Sequence, residues 1–222
     1  MTKHFIEYLL TAALAVMTAQ SCVSKIDPIF DESSANRVEA LAERLNETLT
    51  GAPNGWLLEY YPSSGQYYGG FNVFLSFSEG NKVKVGSEVA GKGKTATSTY
   101  SIYQSAGCVL TLDTYNEVMH YFADPETTGG QGAGFGFEGD FEFNVLDLQD
   151  EKITLKGRKT GSTMTMTPMP VSMSWDDYIV ALKEEESAIS KHTRIRYQTA
   201  DNKYDGRING RTLEIFSEVD GE

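Results

Sequence analysis

The sequence predicts a mainly β fold: an antiparallel up-and-down meander, closed as a lipocalin-like barrel or left open as a sandwich, flanked by two α-helices. Three observations carry this reading. Apolar residues recur at every second position from Trp56 to Met169, the period of a half-buried strand. Turn residues separate these runs at short intervals, with no helical stretch between them. Spacings of three and four, the mark of an amphipathic helix, occur only before and after this region.

In chain order, Asp31, Glu32, Ser33 and Ser34 offer capping side chains for a first helix. Val38, Leu41, Leu45 and Leu49 give that helix one apolar stripe, and Gly51-Ala-Pro-Asn-Gly55 ends it. Strand patterns then follow: Phe71, Val73, Leu75 and Phe77; Val83 and Val85; Tyr100 and Ile102; Cys108, Leu110 and Leu112. Phe141, Phe143 and Val145 continue the series, then Ile153 and Leu155, then Met164 and Met166. Parity breaks at Leu146 and Leu148, which predicts a β-bulge. Roughly eight strands is the number that closes a small barrel. Ser174, with Asp177 three residues later, caps a second helix whose stripe is Trp175, Tyr178, Ile179, Leu182 and Ile189. Residues 31–191 therefore read as one β-rich domain. Residues 192–222 read as an extended tail or a fragment of a second β unit, in which Leu213, Ile215 and Val219 offer the apolar positions. With so few apolar residues, truncation after Lys191 is expected to cost about 1 kcal/mol or less.

The N-terminus reads as an export signal. A short basic start precedes a largely apolar run from Phe5 to Ala19, interrupted by Glu7 and too short to span a bilayer comfortably. Ala19-Gln-Ser-Cys22 has the pattern of a lipobox, in which Cys22 takes diacylglycerol before cleavage and an N-acyl chain such as palmitate after it. Residues 1–21 are thus expected to be a lipoprotein signal peptide and residues 22–30 a lipidated tether. Each buried methylene contributes about 0.8 kcal/mol, so several acyl chains hold a protein stably on a membrane. The expected address is the bacterial outer membrane. Val23-Ser-Lys-Ile-Asp27 only partly resembles charged surface-export signals, which leaves the surface and periplasmic faces both open.

A net charge of -12 argues against nucleic acid as a partner, because phosphate neutralisation needs clustered Lys and Arg. With Cys22 acylated, Cys108 is the remaining thiol, so no intramolecular disulfide forms and the residue reads as a small buried hydrophobe.

Few residue groups invite chemistry. Gly86-Ser-Glu-Val-Ala-Gly91-Lys92 matches the start of a phosphate-binding loop, but Gly93 replaces the required Ser or Thr and no helix follows, so it reads as a turn. Gly129-Gly-Gln-Gly-Ala-Gly-Phe-Gly136 lacks the strand-to-helix context of a dinucleotide site. No zinc or calcium ligand pattern occurs, and neither a metal nor a cofactor is expected. His120 has Asp113, Glu117, Asp124 and Glu126 near it in sequence, the raw material of acid–base chemistry or of a hydrogen-bonded strand end. Glu138, Asp140 and Glu142 share a strand parity opposite Phe141 and Phe143 and read as a solvated face rather than a glycosidase pair. Tyr61, Tyr67 and Tyr68 surround Pro62-Ser-Ser-Gly-Gln66, where tyrosines either stack on sugar rings or pack as cross-strand pairs.

Glu59-Tyr-Tyr-Pro62, Tyr68-Gly-Gly-Phe-Asn-Val-Phe74, Leu110-Thr-Leu-Asp-Thr-Tyr115, His120-Tyr-Phe-Ala-Asp-Pro125 and Gly139-Asp-Phe-Glu-Phe143 together resemble a lipoprotein family of Bacteroidetes classed as a domain of unknown function. Ile153-Thr-Leu-Lys-Gly157 and the helix led by Trp175 extend the resemblance over roughly Phe30 to Ile189. It implies a cell-envelope lipoprotein, often found beside outer-membrane nutrient-uptake systems, and carries no catalytic residues. Family members continue into a further β-rich half, beside which a chain ending at Glu222 reads as a shortened member. The expected function is a non-catalytic binding or assembly module on a membrane, with a glycan, a peptide or an outer-membrane uptake protein as partner. Two alternatives stand beside it: a glycan or peptide hydrolase using His120 and nearby carboxylates, and a barrel carrying a small apolar ligand.

Overall fold

The computed structural model describes residues 34–127, 129–130, 134–200 and 203–216. Cys22, the signal segment, the tether and three of the four expected capping residues of the first helix lie outside them.

Helix α1 (Ser34–Gly51) leads into eight strands: β1 (Trp56–Tyr60), β2 (Phe71–Ser78), β3 (Lys82–Ser87), β4 (Thr95–Gln104), β5 (Cys108–Leu112), β6 (Glu142–Gln149), β7 (Lys152–Gly157) and β8 (Thr163–Pro168). Each pairs antiparallel with its sequence neighbour, and β8 returns to β1 with Trp56 opposite Pro168 and Glu59 opposite Thr165. The sheet is a closed barrel, so of the two expected forms the open sandwich is set aside. Closure leaves no edge strand for unwanted pairing.

The period-two residues point inward. Trp56, Leu58, Tyr60, Val73, Leu75, Val83, Val85, Leu110, Phe143, Leu155, Met164 and Met166 are all buried in one cluster. The parity break is a bulge: the register of β6 against β7 shifts between Val145 and Asp147, leaving Leu146 55% exposed while Leu148 returns to the interior.

Both ends of the barrel are stoppered. Leu45 and Leu49 of α1 join the core at one end, where Trp56 Nε1 donates to the Leu49 carbonyl at 3.0 Å and the Tyr100 hydroxyl donates to Asn46 Oδ1 at 2.7 Å. At the other end the long β5–β6 connection folds inward. Its short helix α2 (Glu117–His120) is capped by Asn116, whose side chain accepts from the Val118 and Met119 amides. Val118, Met119, Phe122 and Phe137 then enter the same core. Side chains therefore fill the interior, as in other small closed barrels.

Helix α3 (Trp175–Ile189) starts at the expected cap, where Ser174 Oγ accepts from the Asp177 amide at 3.1 Å. It lies against the outer wall. Trp175 stacks on Phe74 with centroids 5.5 Å apart, and a Cβ on Gly86 would sit 3.1 Å from the Trp175 ring, so glycine permits this approach. Of the expected stripe, Ile179 is buried and Ile189 is 53% exposed: only the first half of the helix meets the barrel. No helix among the described residues is long and apolar enough to cross a membrane.

After α3 the chain forms a second, three-stranded antiparallel sheet, β9 (Arg194–Gln198), β10 (Lys203–Asn209) and β11 (Thr212–Phe216), with β10 central. This sheet touches the barrel through Arg211 in its β10–β11 turn. The guanidinium donates to the Gly70 carbonyl at 3.0 Å, pairs with Glu88 Oε1 at 2.5 Å, and lies 4.3 Å over the Phe71 ring. Gly69 sits beneath the Arg211 backbone with φ +74°, where any Cβ would come within 2.8 Å of the Arg211 carbonyl oxygen.

Candidate functional site

In an up-and-down barrel the β1–β2, β3–β4, β5–β6 and β7–β8 loops share one end. Here they carry most of the residues that the sequence singles out. The β1–β2 loop needs left-handed backbone at Ser63 and Gln66, and that turn lifts Tyr67 into solvent at 73% exposure. Its ring meets Tyr68 edge-on at 5.2 Å, Tyr68 meets Phe137 at 5.3 Å, and Phe137 meets Tyr121 at 5.8 Å. Four rings thus form a ridge across the barrel end. At its far side Tyr121 borders a cleft of about 520 Å³ shared with Val89, Ala90, Lys94 and Glu117. The volume is that of a small-ligand site.

The three candidate tyrosines do not stand alike. Tyr67 presents its ring to water. Tyr68 is half-buried against the core, and its hydroxyl is buried with no hydrogen-bond partner among the described residues. A buried unpaired hydroxyl costs free energy and needs a reason. Tyr61 is also half-buried, packed beneath Gly70, where an added Cβ would lie 2.9 Å from its ring. Tyr67 and Tyr68 therefore belong to one ridge, while Tyr61 packs beneath Gly70.

His120 is placed as a helix-end residue. Its ring lies 4.6 Å from Phe141 in a stacked geometry and 5.1 Å from Tyr115. Nδ1 is 3.1 Å from the Asn116 amide nitrogen, and burial lowers the imidazole below its ordinary pKa, which favours the neutral ring. The nearby carboxylates face elsewhere: Asp113 accepts from Ser101 Oγ at 2.8 Å and Asp124 accepts from the Glu126 amide at 2.8 Å. Neither hydrogen-bonds His120 among the described residues. No cluster of metal-binding side chains occurs among the described residues. Cys108 is buried within β5 as expected, and burial raises its thiol, which keeps it protonated and unreactive.

Two acids depart from the expected pattern. Asp140 is 4% exposed rather than solvated. β6 begins only at Glu142, so residues 138–141 are loop and the alternation does not govern them. The Asp140 carboxylate accepts from the Lys159 amide at 2.7 Å, from the Thr160 amide at 3.1 Å and from the Thr160 hydroxyl. Its carbonyl accepts from the buried Tyr60 hydroxyl at 2.9 Å, and desolvation pushes that phenol far above its ordinary pKa, fixing it as a donor. Glu88, within the segment that matches the start of a phosphate loop, is 7% exposed and held by Asn72 Nδ2 at 3.1 Å as well as by Arg211. That segment is the end of β3 and a turn, and its acid anchors the second sheet. A lone Glu within a turn motif gives no signal of burial; its partners Asn72 and, 123 positions on, Arg211 explain it.

Comparison with curated proteins and with solved structures finds no match. The domain of unknown function DUF4302 matches residues 26–218, beyond the Phe30–Ile189 span of the recognised motifs and through the second sheet. The chain belongs to that family.

Proposed function

We propose that this protein is a lipid-anchored module of the Bacteroidetes cell envelope, held on the outer membrane by acylated Cys22, that binds a glycan at the aromatic end of its barrel without catalysing a reaction. The anchor rests on the lipobox at Ala19-Gln-Ser-Cys22 and the apolar run before it. A place beside outer-membrane nutrient uptake rests on the family resemblance.

The binding reading rests on one observation above others: a Tyr67 ring 73% exposed at the end of a ridge that continues through Tyr68, Phe137 and Tyr121. A sugar ring laid on Tyr67 gains stacking contact at the exposed end of the ridge. His120 supports a non-catalytic role, because its ring is committed to Phe141, Tyr115 and the start of α2.

Two measurements test the two halves. A fatty-acid probe should label the wild-type chain in cells, and Cys22→Ala should lose the label and leave the membrane fraction; equal labelling defeats the anchor. The soluble domain should retain members of a neutral glycan array with little salt dependence. Tyr67→Ala should weaken that binding about tenfold, the size of one lost aromatic contact, with an unchanged melting temperature. Binding only to peptides, or binding indifferent to Tyr67→Ala, defeats the glycan reading.

A further inference from the structure

The second sheet carries a different opportunity, independent of the aromatic ridge. Its pairing sets Arg207 opposite Arg194, Asp205 opposite Arg196 and Lys203 opposite Gln198, with Glu214 and Phe216 of β11 opposite Arg207 and Asp205. Directly opposed residues share a face. Four cations (Arg194, Arg196, Lys203 and Arg207) therefore stand with two carboxylates (Asp205 and Glu214) on one small face of a chain whose net charge is -12.

The two carboxylates offset only part of this charge, Asp205 being held low by Arg196 first and by Arg194 as well. Asp205 is taken by Arg196 at 2.8 Å, and no ion pair joins Glu214 to Arg207 or Arg194 among the described residues. Arg194 and Arg207 remain directly opposite each other, an arrangement of like charges that destabilises an antiparallel pair. An anion between them turns that repulsion into two charge-assisted hydrogen-bonding sites. The same face holds a cavity of about 380 Å³, lined by Arg194, Arg196, Asp205, Arg207 and Phe216. Arg207 lies 5.9 Å over the ring of Phe216, a residue still 45% exposed beside the two guanidinium groups.

We propose that this face is a binding site for a small anionic sugar, whose carboxylate or phosphate is gripped by Arg194 and Arg207 while its ring lies against Phe216. The volume falls within the range of small-ligand sites, and the planar forks of arginine suit both anionic groups. In the sequence these residues read as an ordinary solvated face, because Arg, Lys, Asp and Glu alternate along short strands.

Titration calorimetry on the purified protein tests the site with three probes: inorganic phosphate, a trimer of galacturonic acid and the neutral trimer of galactose. The acidic trimer should bind, weaken as sodium chloride is raised, and outbind the neutral trimer by at least tenfold. Binding of phosphate in place of the acidic trimer assigns the anionic group to phosphate rather than carboxylate. Arg194→Gln and Arg207→Gln should each weaken binding at least tenfold, whereas Arg44→Gln, which removes an exposed cation on α1, should leave it unchanged. Because Glu218, Asp220 and Glu222 are near in sequence and acidic, the titrations are repeated with all three changed to amides. No binding of either anionic probe in both backgrounds overturns the proposal, and so does an Arg44→Gln effect as large as that of Arg194→Gln. Without ligand, Arg194→Gln should hold or raise the melting temperature. A clear fall shows that the arginine serves the fold instead and also overturns the proposal.

Discussion

Asp140 is the acid around which the β7–β8 turn is wound, and its environment sets it apart from its neighbour Glu142. The carboxylate takes three donors from Lys159 and Thr160 and lies so close to Gly157 that an added Cβ would meet Oδ2 at 2.2 Å. Glu142 makes a 3.5 Å pair with Arg158, with its side chain 40% exposed. Removing the buried acceptor strands donors that water reaches poorly, whereas removing the surface pair costs little. Asp140→Ala should therefore destabilise the domain by about 2 kcal/mol, read as a fall of about 4–8 °C in melting temperature. Glu142→Ala should cost about 0.5 kcal/mol or less. Equal effects in thermal melts would show that Asp140 is as solvated as the alternation of the sequence suggests. The sequence conceals this difference because an acid that winds a turn and an acid on a wet strand have the same neighbours in the chain. They differ only in where β6 begins.

At the scale of elements, the second sheet depends on one residue of a turn. Arg211 reaches the barrel through Glu88, Gly70 and Phe71, and Glu88 is 5% exposed in its side chain while Arg211 is 33% exposed. Breaking a buried pair by removing one partner usually costs about 3–5 kcal/mol, and the partial exposure of the guanidinium reduces this. Arg211→Ala should cost about 2 kcal/mol and loosen the sheet, so that protease cleaves near Lys191 and Lys203 at enzyme levels the wild type survives. Arg211→Lys should recover only part of the loss, because an ammonium cannot meet Glu88, the Gly70 carbonyl and the Phe71 face in one plane. Unchanged proteolysis would mean that the sheet is held by other contacts. Composition alone makes residues 192–222 look detachable, since they contain few apolar side chains. The strand pairing was legible there only as Leu213 and Ile215, and the Arg211 anchor was not, because a polar clamp leaves no periodicity.

Over the whole molecule, the strands were legible because burial on one face imposes a period of two, and Leu146 and Leu148 even marked the bulge. What the period could not show was how the ends are closed, since α2 and the loop around it follow no repeat. That closure decides whether the barrel is a container. Phe122 is fully buried and touches Tyr60 at 4.8 Å, Phe71 at 5.1 Å and Phe137 at 5.9 Å, so it acts as the stopper of the β5–β6 end. With it in place, inward side chains occupy the space in which a carrier would hold an apolar ligand. The wild type should therefore take up no solvatochromic fatty acid. Phe122→Ala should lose about 3–5 kcal/mol, because the ring leaves both transfer free energy and a cavity behind. An apolar cavity opened in this way stays dry and admits small apolar molecules, so the variant, measured well below its melting temperature, should bind benzene-sized probes that the wild type refuses. Fatty-acid uptake by the wild type, lost on filling the interior through Cys108→Met, would instead make the barrel a carrier and move the functional site inside it.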